Sequence, residues 1–341
     1  MLVKKIPFYY MIIAAILGGA ITYTVFELSM KIDAANASTT DSKNNIANTG
    51  ASSCKSTTIR LKGYNYINPV LYTEKDCESE DLDPLKQSIN DYIASEKAKG
   101  TLTTASVCIR IPGKAQWTSI NPDEMYHPAS LNKVPILITY LHMAENYNNL
   151  LNEKLFYDKH TSDLPVQYYT SKQLEPGKSY TIKELLHAMI AWSDNDATLL
   201  LLKHINLDFY NKTFTDLGLD KPSFEFEKFL MSARQYTLFF RVLYNGTYLS
   251  DAVSEFGTAM LAECDFKKGL LKKLPEGTKA AHKFGEAGYG NVYELHESGI
   301  IYAGKSPYII TIMTKGKNWD ELSEIIANIS SIVYNKLATN V

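Results

Sequence analysis

The 341-residue chain lacks an excess of charge of either sign. Lys+Arg is 35 against 37 for Asp+Glu, a formal net charge of −2. Nucleic-acid binding normally needs a strong basic excess, so no nucleic-acid partner is expected. Glycine (18) and proline (12) are too few for a collagen-like or low-complexity chain. Cysteine is scarce, at Cys54, Cys77, Cys108 and Cys264. No Cys/His group has zinc spacing and no H-E-x-x-H occurs, so no metal centre or other cofactor is implied. The run Gly285-Glu-Ala-Gly288-Tyr-Gly290 is glycine-rich but lacks the spacing of a dinucleotide loop. No internal repeat is visible. What remains is ordinary globular composition, 45% hydrophobic and 21% charged.

The first 60 residues depart from that average. Ile6 to Leu28 carries Glu27 as its only charge and is otherwise mostly apolar, long enough to span a hydrocarbon core of about 30 Å. Lys4 and Lys5 precede it, which keeps the short N-terminus inside and puts the rest of the chain on the extracytoplasmic face. We read residues 1–31 as a transmembrane signal-anchor. The competing reading is a signal peptide cleaved near Ala37, since Ala35-Asn36-Ala37 has the small-x-small form. Residues 32–58 are rich in Ser, Thr, Asn and Ala with no apolar period, and read as a flexible tether. The folded domain is then 59–341. Outside the cytoplasm disulfides are allowed, and a Cys54–Cys77 pair is expected in the polar sequence where that domain starts. Cys108, inside the apolar run Ala105 to Ile111, reads as a buried free thiol.

Periodicity organises the domain. Leu82 to Gly100 is an amphipathic helix with a glycine stop. Ala105 to Ile111 and Ala115 to Ile120 form a hairpin around Pro112-Gly113. Helical patterns fill Ser130 to Tyr147, Tyr180 to His204 (with a T-x-x-E capping box at Thr181 and Glu184) and Arg234 to Tyr244. Strand patterns return at Ala280 to Phe284, Val292 to Ala303 and Tyr308 to Thr314, before a closing helix, Trp319 to Leu337. The expected fold is α+β: an antiparallel sheet assembled from both ends of the domain, flanked by helices, with a helical lobe inserted.

Three short motifs could carry chemistry. Ser130-Leu131-Asn132-Lys133 puts a hydroxyl and an amine on one helix face, where the amine can serve as base for the hydroxyl. If Ser130 opens the helix, the N-terminal N–H groups also favour a developing oxyanion. Ser193-Asp194-Asn195 interrupts an apolar run. It reads either as a capped helix corner or as a polar tip aimed into a cleft. Lys283-Phe284-Gly285 ends a strand, with a glycine that permits close approach. Each alone is weak. A second S-x-x-K (Ser52 to Lys55) lies in the tether, and Lys267-Lys268-Gly269 is another K-x-G.

Their order, S-x-x-K, then S-D-N 60 residues on, then K-x-G 90 further, is the pattern of class A β-lactamases and penicillin-binding proteins. HPASLNKVPIL, YTIKELLHAMIAWSDNDAT and GIIYAGKSPYIITIMTKG resemble the matching segments of that serine β-lactamase-like superfamily, over roughly residues 85–335. The resemblance implies that Ser130 is the acylated nucleophile and Lys133 the amine that deprotonates it. Ser193 would relay a proton to the leaving nitrogen, facing Lys283. Asn195 would bind the substrate acyl side chain, Asp194 would be mainly structural, and Gly285 would lie beside the substrate. The backbone N–H groups of Ser130 and Glu286 would form the oxyanion hole. Two ammonium groups converging in one cleft would lower each other's pKa.

Two departures stand out. The third motif normally has Thr or Ser, whose hydroxyl contacts a substrate carboxylate; Phe284 removes that donor and adds bulk. The family's deacylation glutamate, within E-x-x-L-N, has no counterpart. The loop after Leu217-Gly218-Leu219 is short, with only Glu225 and Glu227 nearby, and the alternation in FEFE reads as a solvated edge. The expectation is a membrane-tethered active-site serine hydrolase acting on a β-lactam or peptidoglycan-type peptide, with slow deacylation. The alternative is a non-catalytic envelope binding protein on the same scaffold.

Overall fold

The computed structural model describes residues 54–160, 167–223, 225, 228–303 and 307–338. The apolar run at 6–28 and the tether up to residue 53 lie outside these residues. Among the described residues no helix is long and apolar enough to cross a membrane.

The described chain begins with a hairpin of β1 (Ser56–Arg60) and β2 (Val70–Lys75), so the last residues read as tether are strand. Cys54 and Cys77 are disulfide-bonded across its base, with Cα atoms 5.6 Å apart. Glu74 fastens the hairpin to the body by accepting from Arg110, Arg234 and Arg241 at 2.8, 2.9 and 3.0 Å.

The central sheet has the order β4-β3-β9-β8-β7, antiparallel throughout. Its strands are β3 (Leu102–Ile111), β4 (Gln116–Ile120), β7 (Lys279–Tyr289), β8 (Val292–Tyr302) and β9 (Tyr308–Gly316). A further two-stranded pair, β5 (Lys154–Tyr157) with β6 (Lys178–Thr181), gave no sequence signal strong enough to predict. Both faces of the sheet are covered, so β3 and β9 are buried almost throughout. Val107, Ile109, Ile310 and Ile312 pack with α1 (Asp83–Lys99) and α8 (Trp319–Ala338). Cys108, Ile309, Met313 and Ala281 pack on the opposite face. There they meet α6 (Ala233–Asn245) and the lobe built on α2 (Lys133–Asn146), α3 (Ile182–Ala191), α4 (Asn195–His204) and α5 (Leu207–Thr215), with α7 (Asp251–Ala262) alongside. Cys108 is a buried free thiol, as is Cys264.

Two boundaries differ from the sequence pattern in ways that matter. The helical stretch from Tyr180 to His204 is broken at Trp192 to Asp194, with α3 before and α4 after. β7 runs five residues beyond Phe284, because Gly285 to Tyr289 continue in register with β8. The glycine-rich segment is therefore strand, and β7 is the sheet's edge beside the helical lobe.

Candidate active site

Ser130 does not open a helix; it lies in a 3-10 turn, Ala129–Asn132, that leads directly into α2 at Lys133. The turn is held from several sides. Tyr126 exchanges backbone hydrogen bonds with Met231 (3.0 and 2.9 Å). Tyr236 donates its hydroxyl to Leu131 O at 2.7 Å, and Tyr210 donates to Asn132 Oδ1 at 2.8 Å. On the β8 side, Glu294 accepts from His127 N at 3.2 Å, while His296 Nε2 lies 3.0 Å from His127 O. Ala129, just before Ser130, has φ of 50°, and Ser193 has φ of 56°. Left-handed backbone at non-glycine residues costs of order 1–3 kcal/mol and persists only where the surroundings enforce it.

Lys133 is buried, and its ammonium reaches back across the interlobe corner. It donates to Ser193 O at 2.6 Å, Ser193 Oγ at 3.1 Å and Asn195 Oδ1 at 2.8 Å. One amine thus joins the first two motifs. Both readings of Ser193-Asp194-Asn195 apply: it is a capped corner and a polar tip. Asp194 caps α4 by accepting from Ala197 N, and its other oxygen accepts from Leu174 N, both at 2.8 Å. Removal from water pushes Lys133 well below the ordinary lysine range, and the charge of Lys283 adds to this.

Lys283 is fully buried on β7. Its ammonium donates to Phe284 O at 3.0 Å and sits 4.1 Å over the Phe284 ring. Burial brings its pKa down to about 8, against the partial restoring pull of Cys264, Glu286 and Asp265. Desolvation, more than repulsion between the two lysines, therefore sets both shifts. Gly285 closes against the turn that carries Ser130. A Cβ there would lie 2.8 Å from Leu131 N and Pro128 O, and 3.1 Å from Ser130 N. No side chain fits, so the glycine lets β7 touch the nucleophile's backbone.

The bulk of Phe284 lies against Lys283, whose ammonium meets one face of its ring. Its ring also stacks on Phe266 at 4.2 Å and meets Tyr169 edge-on, and strand alternation puts Glu286 on the same face. Glu286, expected to contribute only its backbone N–H, also has an engaged side chain. Its carboxylate accepts from Tyr168 N at 2.7 Å and Tyr169 N at 3.2 Å. Burial raises its pKa, while those N–H groups and the two lysines pull it back down. Gln167, on the same segment, donates to Ser193 O at 3.1 Å. Gln167 to Tyr169 therefore bridge the lobe and the edge of β7, with the Tyr168 hydroxyl donating to Asp320 at 2.6 Å. Nothing in the sequence marks this segment, which has neither a period nor a motif.

The short loop after α5 brings no described carboxylate to these residues. Glu225 is mostly exposed and pairs with Lys228 at 2.7 Å. Glu227 lies outside the described residues. Among the described residues no His/Cys/Asp/Glu cluster suits a metal ion.

The sequence model described as the Beta-lactamase enzyme family matches residues 84–337. The chain belongs to this family. The β1–β2 hairpin precedes the matched span. Solved structures agree on the fold. PBP-A is 22% identical with a TM-score of 0.63, covering 76% of this chain and 97% of its own. A leucine-to-glutamate mutant of PBP-A, solved as an acyl-enzyme with penicillin G, is 22% identical (TM-score 0.62; 76% and 97% covered). A β-lactamase from Sphaerobacter thermophilus is 20% identical (TM-score 0.61; 75% and 98% covered). No curated protein matches the chain.

Proposed function

We propose that this member of the β-lactamase family is an active-site serine hydrolase that forms an acyl-Ser130 intermediate on an amide or ester, either a β-lactam or a peptidoglycan-type peptide. The observation that carries this reading is the convergence of Lys133 on Ser193 and Asn195 (2.6–3.1 Å), one turn from Ser130. Burial holds the pKa of Lys133 well below the ordinary lysine range, which favours its acting as a free amine. Two N–H groups then serve Ser193 O and Asn195 Oδ1, and the lone pair is left for a hydroxyl proton. As Ser130 Oγ bonds to the carbonyl carbon, its proton passes to this amine. Collapse of the tetrahedral intermediate breaks the C–N or C–O bond, and the proton travels through Ser193 to the leaving atom. Lys283, with a pKa of about 8, remains mostly an ammonium at neutral pH and supports Ser193 electrostatically. The backbone N–H groups of Ser130 and Glu286 receive the oxyanion. Asn195 holds the acyl side chain and Gly285 keeps β7 against the turn.

Deacylation is slow in this account. The loop that would supply a base offers only Glu225, paired on the surface, and Glu227. We place the enzyme on the extracytoplasmic face, held by the Ile6 to Leu28 run. The Lys4-Lys5 flank and the Cys54–Cys77 disulfide support that placement. Labelling with a fluorescent penicillin and a fluorophosphonate tests the chemistry: a band lost in Ser130→Ala supports it, and no Ser130-dependent band with either probe rejects it.

A further inference from the structure

We propose that Glu286 is a specificity-determining residue: its carboxylate makes the site favour acyl donors that are uncharged or cationic beside the scissile bond, and disfavour those bearing a carboxylate there. This rests on the acyl-serine reading above. Glu286 follows Gly285, where even a Cβ would lie 2.8 Å from Leu131 N and 3.1 Å from Ser130 N. A donor seated at Ser130 along the edge of β7 would run beside Glu286, whose charge already acts on Lys133 and Lys283. The carboxylate cannot swing away. Tyr168 N and Tyr169 N fix it, and their segment is tied through Gln167 to Ser193 O. Both Lys133 and Lys283 feel its charge.

The surrounding charges point the same way. Lys133 and Lys283 are the cations whose charge acts on Glu286, and burial lowers the pKa of both. Asp320 adds a second negative group on the same segment through the Tyr168 hydroxyl, and Asp265 a third through the Ser171 hydroxyl. Lys268 stands opposite them, 5.0 Å over the outer Tyr169 ring. Phe284 has no hydroxyl to offer, and its ring is stacked on Phe266. An incoming carboxylate thus finds a fixed like charge and no side-chain donor from position 284.

The test compares benzylpenicillin with its methyl ester, which differ by one negative charge. Second-order acylation rates of the full chain are measured by intact mass and divided by each compound's rate with hydroxide. We expect the wild type to prefer the ester at least tenfold, the order of effect of one nearby charge at an effective dielectric near 20. Glu286→Gln keeps an oxygen for the two N–H groups and should cut that preference about tenfold; Glu286→Asp should keep most of it. A wild-type preference below tenfold overturns the proposal, as does a Glu286→Gln ratio within twofold of wild type. Fluorophosphonate labelling separates the two readings. A Ser130 adduct with that uncharged probe, without the ester preference, sinks this proposal alone, whereas no Ser130 adduct with any probe sinks both.

Discussion

Replacing Lys283 by methionine should abolish acylation and at the same time stabilise the protein against unfolding. Lys283 is fully buried, and its pKa falls from an ordinary 10.5 to about 8 on folding. The unfolded chain therefore binds more protons between pH 8 and 10.5, so this residue makes stability rise with pH across that window. Below pH 8 the buried ammonium costs about 3 kcal/mol relative to an exposed one. Methionine removes that cost but leaves Phe284 O, which accepted from the lysine at 3.0 Å, without its donor, a loss of about 1–3 kcal/mol. The net gain at pH 7 is then small. The pH trend is the sharper quantity: the stability of the variant relative to wild type should fall by about 2 kcal/mol from pH 7 to 9.5. Urea unfolding of both proteins across that range measures it. A difference that stays constant with pH would refute the assignment of a depressed, buried lysine.

Three further predictions follow from the same geometry. Gly285→Ala drives a methyl to 2.8 Å from Leu131 N and Pro128 O, displaces the Ser130 turn and should slow acylation about a hundredfold, read by rates of adduct formation. Acylation should decline above about pH 8 as Lys283 loses its proton; a rate still rising at pH 9.5, at constant ionic strength, would contradict the role of its ammonium. Replacing Cys54 and Cys77 by serine opens a link across 23 residues and should cost about 3 kcal/mol, seen as a lower urea midpoint that reduced wild type shares.

The sequence disclosed much of this arrangement where local pattern and tertiary packing agree. The strands from Leu102 and Tyr308 alternate into two covered faces, and their apolar runs say so. The long apolar helix after Lys133 is legible for the same reason. Lys133 reaches Ser193 and Gly285 closes on the turn of Ser130, whereas the ammonium of Lys283, expected to face Ser193, is engaged by Phe284. Features set by context were not legible. The strand pattern ended at Phe284, but cross-strand pairing with β8 carries β7 through to Tyr289. That Phe284 removes a hydroxyl was legible, but its stacking on Phe266 and its place under the Lys283 ammonium depend on register and packing. Gln167 to Tyr169 have no motif, and their place beside the site depends on Glu286, Ser193 and Asp320, which are distant in sequence. The origin of the lysine shifts also needed the fold, since burial outweighs the mutual repulsion that sequence alone suggested.

The central claim is that Ser130 is acylated and the adduct is slow to leave. Intact mass spectrometry of the full chain and of Ser130→Ala tests it, with time points after brief exposure to benzylpenicillin methyl ester and to a fluorophosphonate. The account predicts a single-mass adduct from each probe on the wild type, mapped to the Ser130 peptide and absent from the variant, with the penicilloyl form persisting after excess reagent is removed. An adduct equally present in Ser130→Ala, no adduct on wild type, or a penicilloyl adduct that disappears as fast as it can be sampled would contradict it.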